Sequence, residues 1–119
     1  MEKIQLGARG ERLVEKFLRK KGYKVLEKNY RSRFGEIDII VKKGSEIVFV
    51  EVKTRSSKEF GEPENAITKI KLDHFSKTAQ SYIQKNNITQ CSVRLDAVSV
   101  FIVPEKNDFE IEHFENINS

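Results

Sequence analysis

The sequence contains few of the residues that build disulfides and metal clusters. Its 119 residues include one cysteine, two prolines and no tryptophan. The single cysteine, Cys91, excludes an internal disulfide and a zinc site made of several thiolates, and we expect it to be a small buried or half-buried side chain. The histidines, His74 and His113, lie far apart without the spacing of metal ligands, so we expect ordinary packing or surface residues.

Long apolar runs are also missing. No stretch approaches the roughly 18 consecutive apolar residues of a membrane helix, and residues 1–5 do not read as the start of a signal peptide. We therefore expect no membrane partner and a cytoplasmic protein. No low-complexity linker or internal repeat divides the chain, so residues 1–119 are predicted to form a single domain.

Charge is abundant but unevenly distributed along the chain. Charged residues make up 34% of the sequence, against about 25% in an average protein. Residues 1–60 hold 16 Lys or Arg and 9 Asp or Glu, a balance of +7, whereas residues 61–119 hold 6 and 9, a balance of −3. A positive surface of this kind indicates a polyanionic partner such as nucleic acid. The alternative is a solvated, lysine-rich helix surface around Arg19-Lys20-Lys21 and Lys24.

Apolar periodicity predicts an α/β protein whose elements follow the order α-β-β-β-α-β-β. Helices are predicted over residues 7 to about 21 and from Pro63 to about Lys85, and strands over residues 23–26, 35–41, 47–53, 92–102 and 109–114. The helix residues expected to face the core are Ala8, Val14, Phe17, Leu18, Ile67, Ile70, Phe75, Ala79, Tyr82 and Ile83. Gly22 is expected to end the first helix, and residues 30–35 and 54–62 are expected to form loops.

Two neighbouring apolar strands carry charged residues, which is unusual for buried strands. Asp38 lies in the first strand, and Glu51 and Lys53 lie in the second. Side chains alternate along a strand, so the second strand is predicted to have one face of Ile47, Phe49, Glu51 and Lys53 and another of Val48, Val50 and Val52. A turn at Gly44-Ser45 makes the two strands an antiparallel hairpin, which places Asp38 beside Glu51.

Two acids and a lysine at one point suit metal-assisted hydrolysis of a phosphodiester. Carboxylate oxygens match Mg²⁺ or Mn²⁺, and Mg²⁺ typically takes one or two protein carboxylates together with water and substrate phosphate. The ion would activate a water molecule and neutralise transition-state charge, while Lys53 orients that water or stabilises the developing charge. The alternative is a structural ion pair of Lys53 with Glu51 or Asp38 at a strand end.

Glu11 is a third acid, and helix geometry places it on the inward side of the first helix. At about 100° per residue, it lies within about 20° of Leu18 and near Val14. An intrahelical ion pair does not account for it, because the residue four positions on is Glu15, which would repel it. We therefore expect Glu11 to point at the site formed by the two strand acids.

Basic residues near this site are candidates for phosphate contacts. Arg31 and Arg33 lie in the polar segment 30–35, where an aromatic ring can also support a sugar or a base. The same arginines would equally serve to cap a turn. Arg55 lies in the predicted loop 54–62, which is able to order over a substrate. No motif resembles a base-reading helix or a zinc finger, so nucleic-acid shape is the expected discriminator.

The sequence also resembles a known protein family over nearly its whole length. The matching residues are Gly7-Ala8-Arg9-Gly10-Glu11, Gly22-Tyr23, Asn29-Tyr30-Arg31, Gly35-Glu36-Ile37-Asp38, Phe49-Val50-Glu51-Val52-Lys53-Thr54-Arg55, Gly61 with Pro63, Thr68 with Lys71, Ala79 with Tyr82-Ile83, and Arg94-Leu95-Asp96. Together they resemble the YraN-like family of bacterial predicted endonucleases. That family is similar to archaeal Holliday junction resolvases within the PD-(D/E)XK nuclease superfamily.

The resemblance implies a restriction-endonuclease-like fold, in which helices flank a central mixed β-sheet within a single nuclease-like domain. It carries the superfamily's metal-binding acids onto Asp38 and Glu51, its catalytic lysine onto Lys53 and its N-terminal helix acid onto Glu11. By the same analogy the carbonyl of Val52 is a further metal ligand.

Lys71 falls on a helix lysine of the family, and for it we infer a phosphate contact. The leading hypothesis is a Mg²⁺- or Mn²⁺-dependent endonuclease acting on structured or branched DNA, with a homodimer as one expected assembly. One alternative is a DNA- or RNA-binding module that uses the fold without cleaving, and another is a protein-interaction domain whose basic half meets an acidic partner. Asp38, Glu51 and Lys53 together favour the endonuclease hypothesis, because a protein of this fold that no longer cleaves has no need of all three residues.

Overall fold

The computed structural model describes residues 3–56 and 68–118. Within these ranges the chain follows the predicted order α-β-β-β-α-β-β. The elements are α1 (Lys3–Lys20), β1 (Lys24–Ser32), β2 (Gly35–Lys43), β3 (Glu46–Ser56), α2 (Lys69–Lys85), β4 (Ser92–Val103) and β5 (Asp108–Phe114), with a 3₁₀ turn at Pro104–Lys106.

The strands form one mixed sheet in the order β1-β2-β3-β4-β5. β2 pairs antiparallel with both β1 and β3, β3 and β4 pair parallel, and β5 returns antiparallel to β4. A parallel pair needs a long crossover connection, and α2 lies in that connection. β3 is hydrogen-bonded to a strand on each side and covered by a helix on each face. Its sequence is therefore a nearly continuous run of apolar residues.

The helices cover opposite faces of the sheet. On the α1 face, the buried core includes Leu6, Val14, Leu18, Val48 and Val50. On the α2 face, it includes Ile47, Phe49, Phe75, Ala79 and Tyr82. The alternation predicted for β3 is therefore confirmed, and so is the restriction-endonuclease-like layout of a central mixed sheet flanked by helices.

The first helix starts earlier than predicted and ends close to the expected residue. α1 begins at Lys3 rather than at residue 7, because Leu6 is buried and extends the inward side of the helix. Ala8 is exposed, so the prediction that it faces the core is wrong. Gly22 has a φ of 95°, the left-handed conformation that glycine adopts just past a helix end.

Strand β1 is longer than predicted. It spans Lys24–Ser32 instead of residues 23–26, so the prediction of a loop over residues 30–35 is wrong, and only Arg33 and Phe34 form the turn before β2. Most side chains of this edge strand are exposed, so its sequence lacks the alternation that marks a half-buried strand. A β-bulge between Val25 and Glu27 interrupts what alternation remains.

Strand β3 continues to Ser56, so the prediction that a loop begins at residue 54 is wrong. The extension is held by β4, because Thr54, Arg55 and Ser56 pair with residues 100–102. Residues 57–62 of the predicted loop lie outside the described residues.

Helix α2 is described from Lys69, and the predicted start at Pro63 lies outside the described residues, as does Ile67. Thr68 is extended and its side chain accepts from the backbone N–H of Lys71 at 3.1 Å, which is the geometry of a helix N-cap. Ile70 is 70% exposed, so the prediction that it faces the core is wrong. The buried side of α2 begins later in the helix, at Phe75.

Candidate active site

Asp38 and Glu51 are neighbours on the paired strands β2 and β3. Ile39 pairs with Val50, so Asp38 and Glu51 are the next residues on their two strands, as the predicted hairpin requires. The Val52 N–H donates to Asp38 Oδ2 at 2.7 Å. This hydrogen bond holds the Asp38 carboxylate against β3.

The alternation of β2 is interrupted at Asp38. Ile37 and Ile39 are two residues apart and would share a face in a regular strand. Ile37 instead packs in the core on the α2 face, whereas Ile39 packs in the core on the α1 face. Asp38, which is half-buried, therefore lies where the strand changes faces, and such irregularities often redirect a side chain beside an active site.

Glu51 and Lys53 follow each other on the same face of β3. Their side chains are 28% and 25% exposed, and Lys53 Nζ lies 3.6 Å from Glu51 Oε1. This is the ion pair that the sequence offers as an alternative explanation. A charge-assisted hydrogen bond has a donor–acceptor distance of about 2.7–2.9 Å. The contact between Lys53 and Glu51 is longer, so it stabilises the fold only weakly.

Burial and the charges of nearby acids raise the pKa values of both strand acids. Burial is the main cause of the rise in the pKa of Asp38 to about 7, and the charges of Glu51, Glu11 and Glu36 raise it further. Burial also raises the pKa of Glu51, although Lys53 opposes the rise. Perturbed carboxylates gathered in one place are typical of a functional site.

Glu11 adds a third acid from α1. It is half-buried, and burial raises its pKa, with Glu36 and Glu51 raising it further and Lys28 lowering it. The repulsion expected from Glu15 is relieved, because the Glu15 carboxylate pairs with basic side chains of α1 and β1. The fold thus brings Glu11 within electrostatic range of Asp38 and Glu51.

Glu36 is a fourth acid, which is not among the site residues predicted from the sequence. It is exposed on β2, two residues before Asp38, and Arg31 Nε lies 3.1 Å from Glu36 Oε2. Its charge raises the pKa values of Glu11, Asp38 and Glu51. Its nearness to Asp38 in sequence was the available signal, but an exposed glutamate has an ordinary explanation as a solvated charge.

A cleft of about 230 Å³ opens beside Glu51 and Lys53, between the β1–β2 turn and the beginning of α2. We call it the acid cleft. Its charged lining is Glu36, Glu51, Lys53 and Lys71, and its apolar lining is Phe34, Leu72, Phe75 and Ile117. The cleft therefore combines an acid and lysine wall with an apolar wall.

The basic residues predicted to contact phosphate occupy different places around this cleft. Lys71 lines the cleft itself. Arg31 is exposed at the end of β1, and Arg33 forms the neighbouring turn. Arg55 is half-buried two residues beyond Lys53 on β3. The fold thus gathers Lys71, Arg31 and Arg33 near the cleft and leaves Arg55 farther along the strand.

A second charged cluster lies on β4 and β5, around Asp96, which is fully buried. Burial raises the pKa of this acid, but hydrogen bonds from His113 and Arg94 outweigh burial and lower the pKa to about 2. The His113 side chain is 6% exposed and lies 2.7 Å from Asp96 Oδ2, so it packs inside the fold. His74 is exposed and Cys91 is half-buried, as expected.

Two features are absent from residues 3–56 and 68–118. No three Asp, Glu, His or Cys side chains there are grouped as ligands of one metal ion. No helix there is long and apolar enough to cross a membrane.

Residues 10–100 match the model of a protein family described as "Uncharacterised protein family UPF0102". A UPF0102 protein from Thermodesulfovibrio yellowstonii is 45% identical over 116 residues, covering 98% of this chain and 97% of the relative. A relative from Caldanaerobacter subterraneus is 43% identical over 117 residues, covering 98% of this chain and 96% of the relative. A relative from Caldicellulosiruptor saccharolyticus is 41% identical over 116 residues, covering 98% of this chain and 98% of the relative. These relatives are named only as UPF0102 proteins, so the names indicate a family without an activity, a metal or a nucleic acid.

Proposed function

We propose that this chain, which belongs to the uncharacterised protein family UPF0102, is a metal-dependent endonuclease that hydrolyses phosphodiester bonds in structured or branched DNA. The observation that carries the proposal is the meeting of Asp38, Glu51 and Lys53 beside one cleft. Placing half-buried acids of like charge together costs free energy. A catalytic role accounts for that cost better than packing does.

The donor chemistry of the neighbouring acids Asp38 and Glu51 fits Mg²⁺ or Mn²⁺. Asp38 and Glu51 supply carboxylate oxygens, and the carbonyl of Val52 would be a third ligand. Two carboxylates are sufficient, because Mg²⁺ usually completes its coordination with water and substrate phosphate. When bound, such an ion lowers the pKa of a bound water and offsets negative charge on the phosphate.

The chain's own residues would position and stabilise the reacting groups. Lys53 is partly exposed beside Glu51, where its ammonium can orient the attacking water or stabilise the charge that develops on the phosphate. The Val52 N–H holds the Asp38 carboxylate in one orientation, and such supporting hydrogen bonds set ligand geometry. Glu11 would serve as the third acid, accepting hydrogen bonds from water at the site.

Nucleic-acid binding would be electrostatic and only weakly dependent on sequence. Arg31, Arg33, Arg55 and Lys71 are the proposed phosphate contacts, in keeping with the +7 balance of residues 1–60. Phosphate contacts of this kind fix the register of the backbone without reading bases. Shape and branching of the DNA are left to decide which substrates bind well.

One observation favours the alternative, a DNA- or RNA-binding module that does not cleave. Lys53 and Glu51 neutralise each other at 3.6 Å, which makes the pair tolerable without a metal. In that case the cleft would bind a phosphate group without hydrolysing it. The two proposals differ in what Lys53 does.

Substitution of Lys53 separates catalysis from binding. We expect Lys53→Ala to lower cleavage by about 10²-fold or more, the usual effect of losing an electrostatic or acid–base group, while metal and DNA still bind. Lys53→Arg is not expected to restore activity, because a planar guanidinium cannot deliver a compact charge at the same point. The measurement is cleavage of duplex, flap, single-stranded and four-way-junction DNAs with Mg²⁺ or Mn²⁺.

The matched control is Lys42→Ala, because Lys42 is also a half-buried strand lysine but lies at the other end of the β2–β3 hairpin. We expect this control to cleave normally. Undiminished cleavage by Lys53→Ala would reject the mechanism. A wild type that binds these DNAs and cleaves none of them, with a Lys53 effect confined to affinity, would establish the binding module instead.

A further inference from the structure

The turn between β1 and β2 holds an aromatic ring in a fixed place at the edge of the acid cleft. The Phe34 N–H donates to Ser32 Oγ at 3.0 Å, and Ser32 Oγ donates to Thr78 Oγ1 at 3.1 Å. Thr78 Oγ1 in turn donates to the His74 carbonyl at 2.9 Å. Because Thr78 is fully buried, this chain of hydrogen bonds anchors the turn to α2 and sets the position of the half-buried Phe34.

Phe34 lines two recesses of different character. One is the acid cleft, which contains Glu51 and Lys53. The other, which we call the basic groove, runs between the turn and the second half of α2 and includes Arg31, Arg33 and Lys85. A DNA strand that follows the basic groove towards the acids therefore passes the ring of Phe34.

Two cations approach the ring of Phe34. The Arg33 guanidinium carbon lies 4.9 Å from the ring centroid, and Lys77 Nζ lies 5.6 Å from it. Proteins that bind single-stranded nucleic acid commonly combine aromatic rings with basic residues. The ring stacks on a base while the cations contact the neighbouring phosphates. The surroundings of Phe34 thus match the chemistry of one nucleotide.

The acid cleft also has walls that a phosphate group does not require. Leu72, Phe75 and Ile117 line it together with Phe34, and these apolar surfaces suit the flat face of a base. The acid cleft has a volume of about 230 Å³, whereas sites that enclose a drug-sized ligand typically measure about 300–1,000 Å³. It therefore suits a single base better than a longer stack.

We propose that Phe34 stacks on one unpaired base next to the phosphate that is cleaved, so that the preferred substrate is DNA with an unpaired nucleotide at this position. The inference rests on the proposed endonuclease function of the acid cleft and names its substrate class. A base within a duplex is already stacked and paired, and removing it costs free energy. Single strands and flaps offer an unpaired base without that cost.

Binding in EDTA tests the proposal apart from cleavage. The probes are a single strand, a duplex with a single-stranded flap and a blunt duplex of the same sequence, with 2-aminopurine at the unpaired position of the first two. We expect tighter binding of the strand and the flap, with 2-aminopurine fluorescence quenched by stacking. Phe34→Ala should weaken binding of these two DNAs by roughly tenfold or more and abolish quenching, while blunt-duplex affinity stays unchanged.

Phe34→Leu, which keeps an apolar side chain in the turn, should lose the quenching in the same way. The control is Phe101→Ala, since Phe101 is a 38% exposed phenylalanine on β4, and it should behave like the wild type. Equal affinities for all three DNAs, or quenching that survives in both Phe34 variants, would overturn the stacking proposal while cleavage by the wild type upholds the endonuclease. Preference and quenching without cleavage of any DNA would support stacking and reject the endonuclease. Binding of none of the DNAs would reject both.

Discussion

Gly10 allows helix α1 to approach strand β3 closely. A Cβ atom at this position would lie 1.9 Å from Thr54 Oγ1, 2.8 Å from Thr54 Cγ2 and 2.9 Å from Thr54 Cβ. Real Cβ atoms do not come so close to other atoms, so any side chain here must displace the helix or the strand. Because Glu11 is the next residue, this contact also sets the distance of Glu11 from the strand acids.

Gly10→Ala is therefore expected to destabilise the protein by about 1–3 kcal/mol through overpacking. Cleavage should also fall, because the shift of α1 carries Glu11 away from Asp38 and Glu51. Urea unfolding measures the first effect, and the DNA cleavage assay measures the second. Adding Thr54→Ala removes the two nearest atoms and should recover part of the lost stability.

Gly7→Ala is the matched control on the same helix. In the part of the chain that the structure describes, no atom outside the adjoining helix backbone and the two chain neighbours lies within 4 Å of a Cβ at Gly7. Alanine is favoured over glycine within a helix by roughly 0.5–1 kcal/mol. We therefore expect Gly7→Ala to be neutral or stabilising. Equal losses of stability for Gly7→Ala and Gly10→Ala would show that the helix, rather than the contact with Thr54, is the cause.

The candidate site was predictable to the extent that its residues stand out locally. Asp38, Glu51 and Lys53 interrupt apolar runs, and a charge in such a run is conspicuous in the sequence. Glu36 is the second residue of β2, is exposed and looks like any solvated glutamate. Its effect on the pKa of Glu11 depends on the packing of α1 against the sheet, which no local pattern indicates.

Among the elements, those with a buried side were predicted best. β4 lies close to its predicted position and β3 begins close to its own, although it continues to Ser56, because apolar runs bounded by turns mark buried strands. β1 was predicted too short because an exposed edge strand is held by its backbone pairing with β2 rather than by apolar side chains. The inward placement of Ile70 was wrong for a related reason, since helical periodicity does not tell which turns of α2 contact the sheet.

Arg94 joins several elements through the buried Asp96. Its guanidinium donates to both Asp96 oxygens at 2.9 Å and to the Tyr23 hydroxyl at 2.9 Å, which connects β4 with the segment after α1. Lys21 Nζ, which can only donate, lies 2.9 Å from His113 Nδ1, so His113 Nε2 carries the hydrogen that faces Asp96. β4, β5 and the segment after α1 are thus connected to one carboxylate, directly or through His113 and Arg94.

Arg94→Ala is expected to destabilise the protein by about 3–5 kcal/mol, because it leaves a buried carboxylate without its main partner. The control is Arg19→Ala, which removes the exposed ion pair between Arg19 and Glu15 and should cost no more than about 1 kcal/mol. Urea unfolding of both variants at neutral pH makes the comparison. A loss for Arg94→Ala as small as that of the control would show that water reaches Asp96 and replaces the arginine.

At the scale of the whole molecule, the basic half of the sequence builds the candidate site. Residues 1–60, with their balance of +7, supply α1, β1, β2 and β3, and all four acids belong to these elements. Positive charge around a small group of acids draws in a polyanion. The charge balance was readable from the sequence, but the approach of Glu11 on α1 to the acids of β2 and β3 required the fold.

The acids of the site should make the protein less stable as the pH rises in the absence of metal. The unfolded chain releases the Asp38 proton near its ordinary pKa of 3.8, whereas burial first, and then the nearby acids, raise the folded pKa to about 7. Between these values the folded state holds more protons than the unfolded state, so the free energy of unfolding falls as the pH increases. One pKa unit corresponds to about 1.4 kcal/mol, so the total loss is at most a few kcal/mol.

Thermal unfolding in EDTA between about pH 4 and pH 8 measures this loss. Asp38→Asn should flatten the decline, leaving the smaller contributions of Glu11 and Glu51, whose pKa values burial also raises. Asp96 does not contribute in this window, because hydrogen bonds lower its pKa to about 2 despite burial and its effect is confined to more acidic solutions. Mn²⁺ should stabilise the wild type more at the upper end of the range, since metal binding requires ionised carboxylates, and should not do so for Asp38→Asn. Stability that rises across this range in EDTA, or a Mn²⁺ effect that survives the substitution, would show that Asp38 is a structural partner and not a metal ligand.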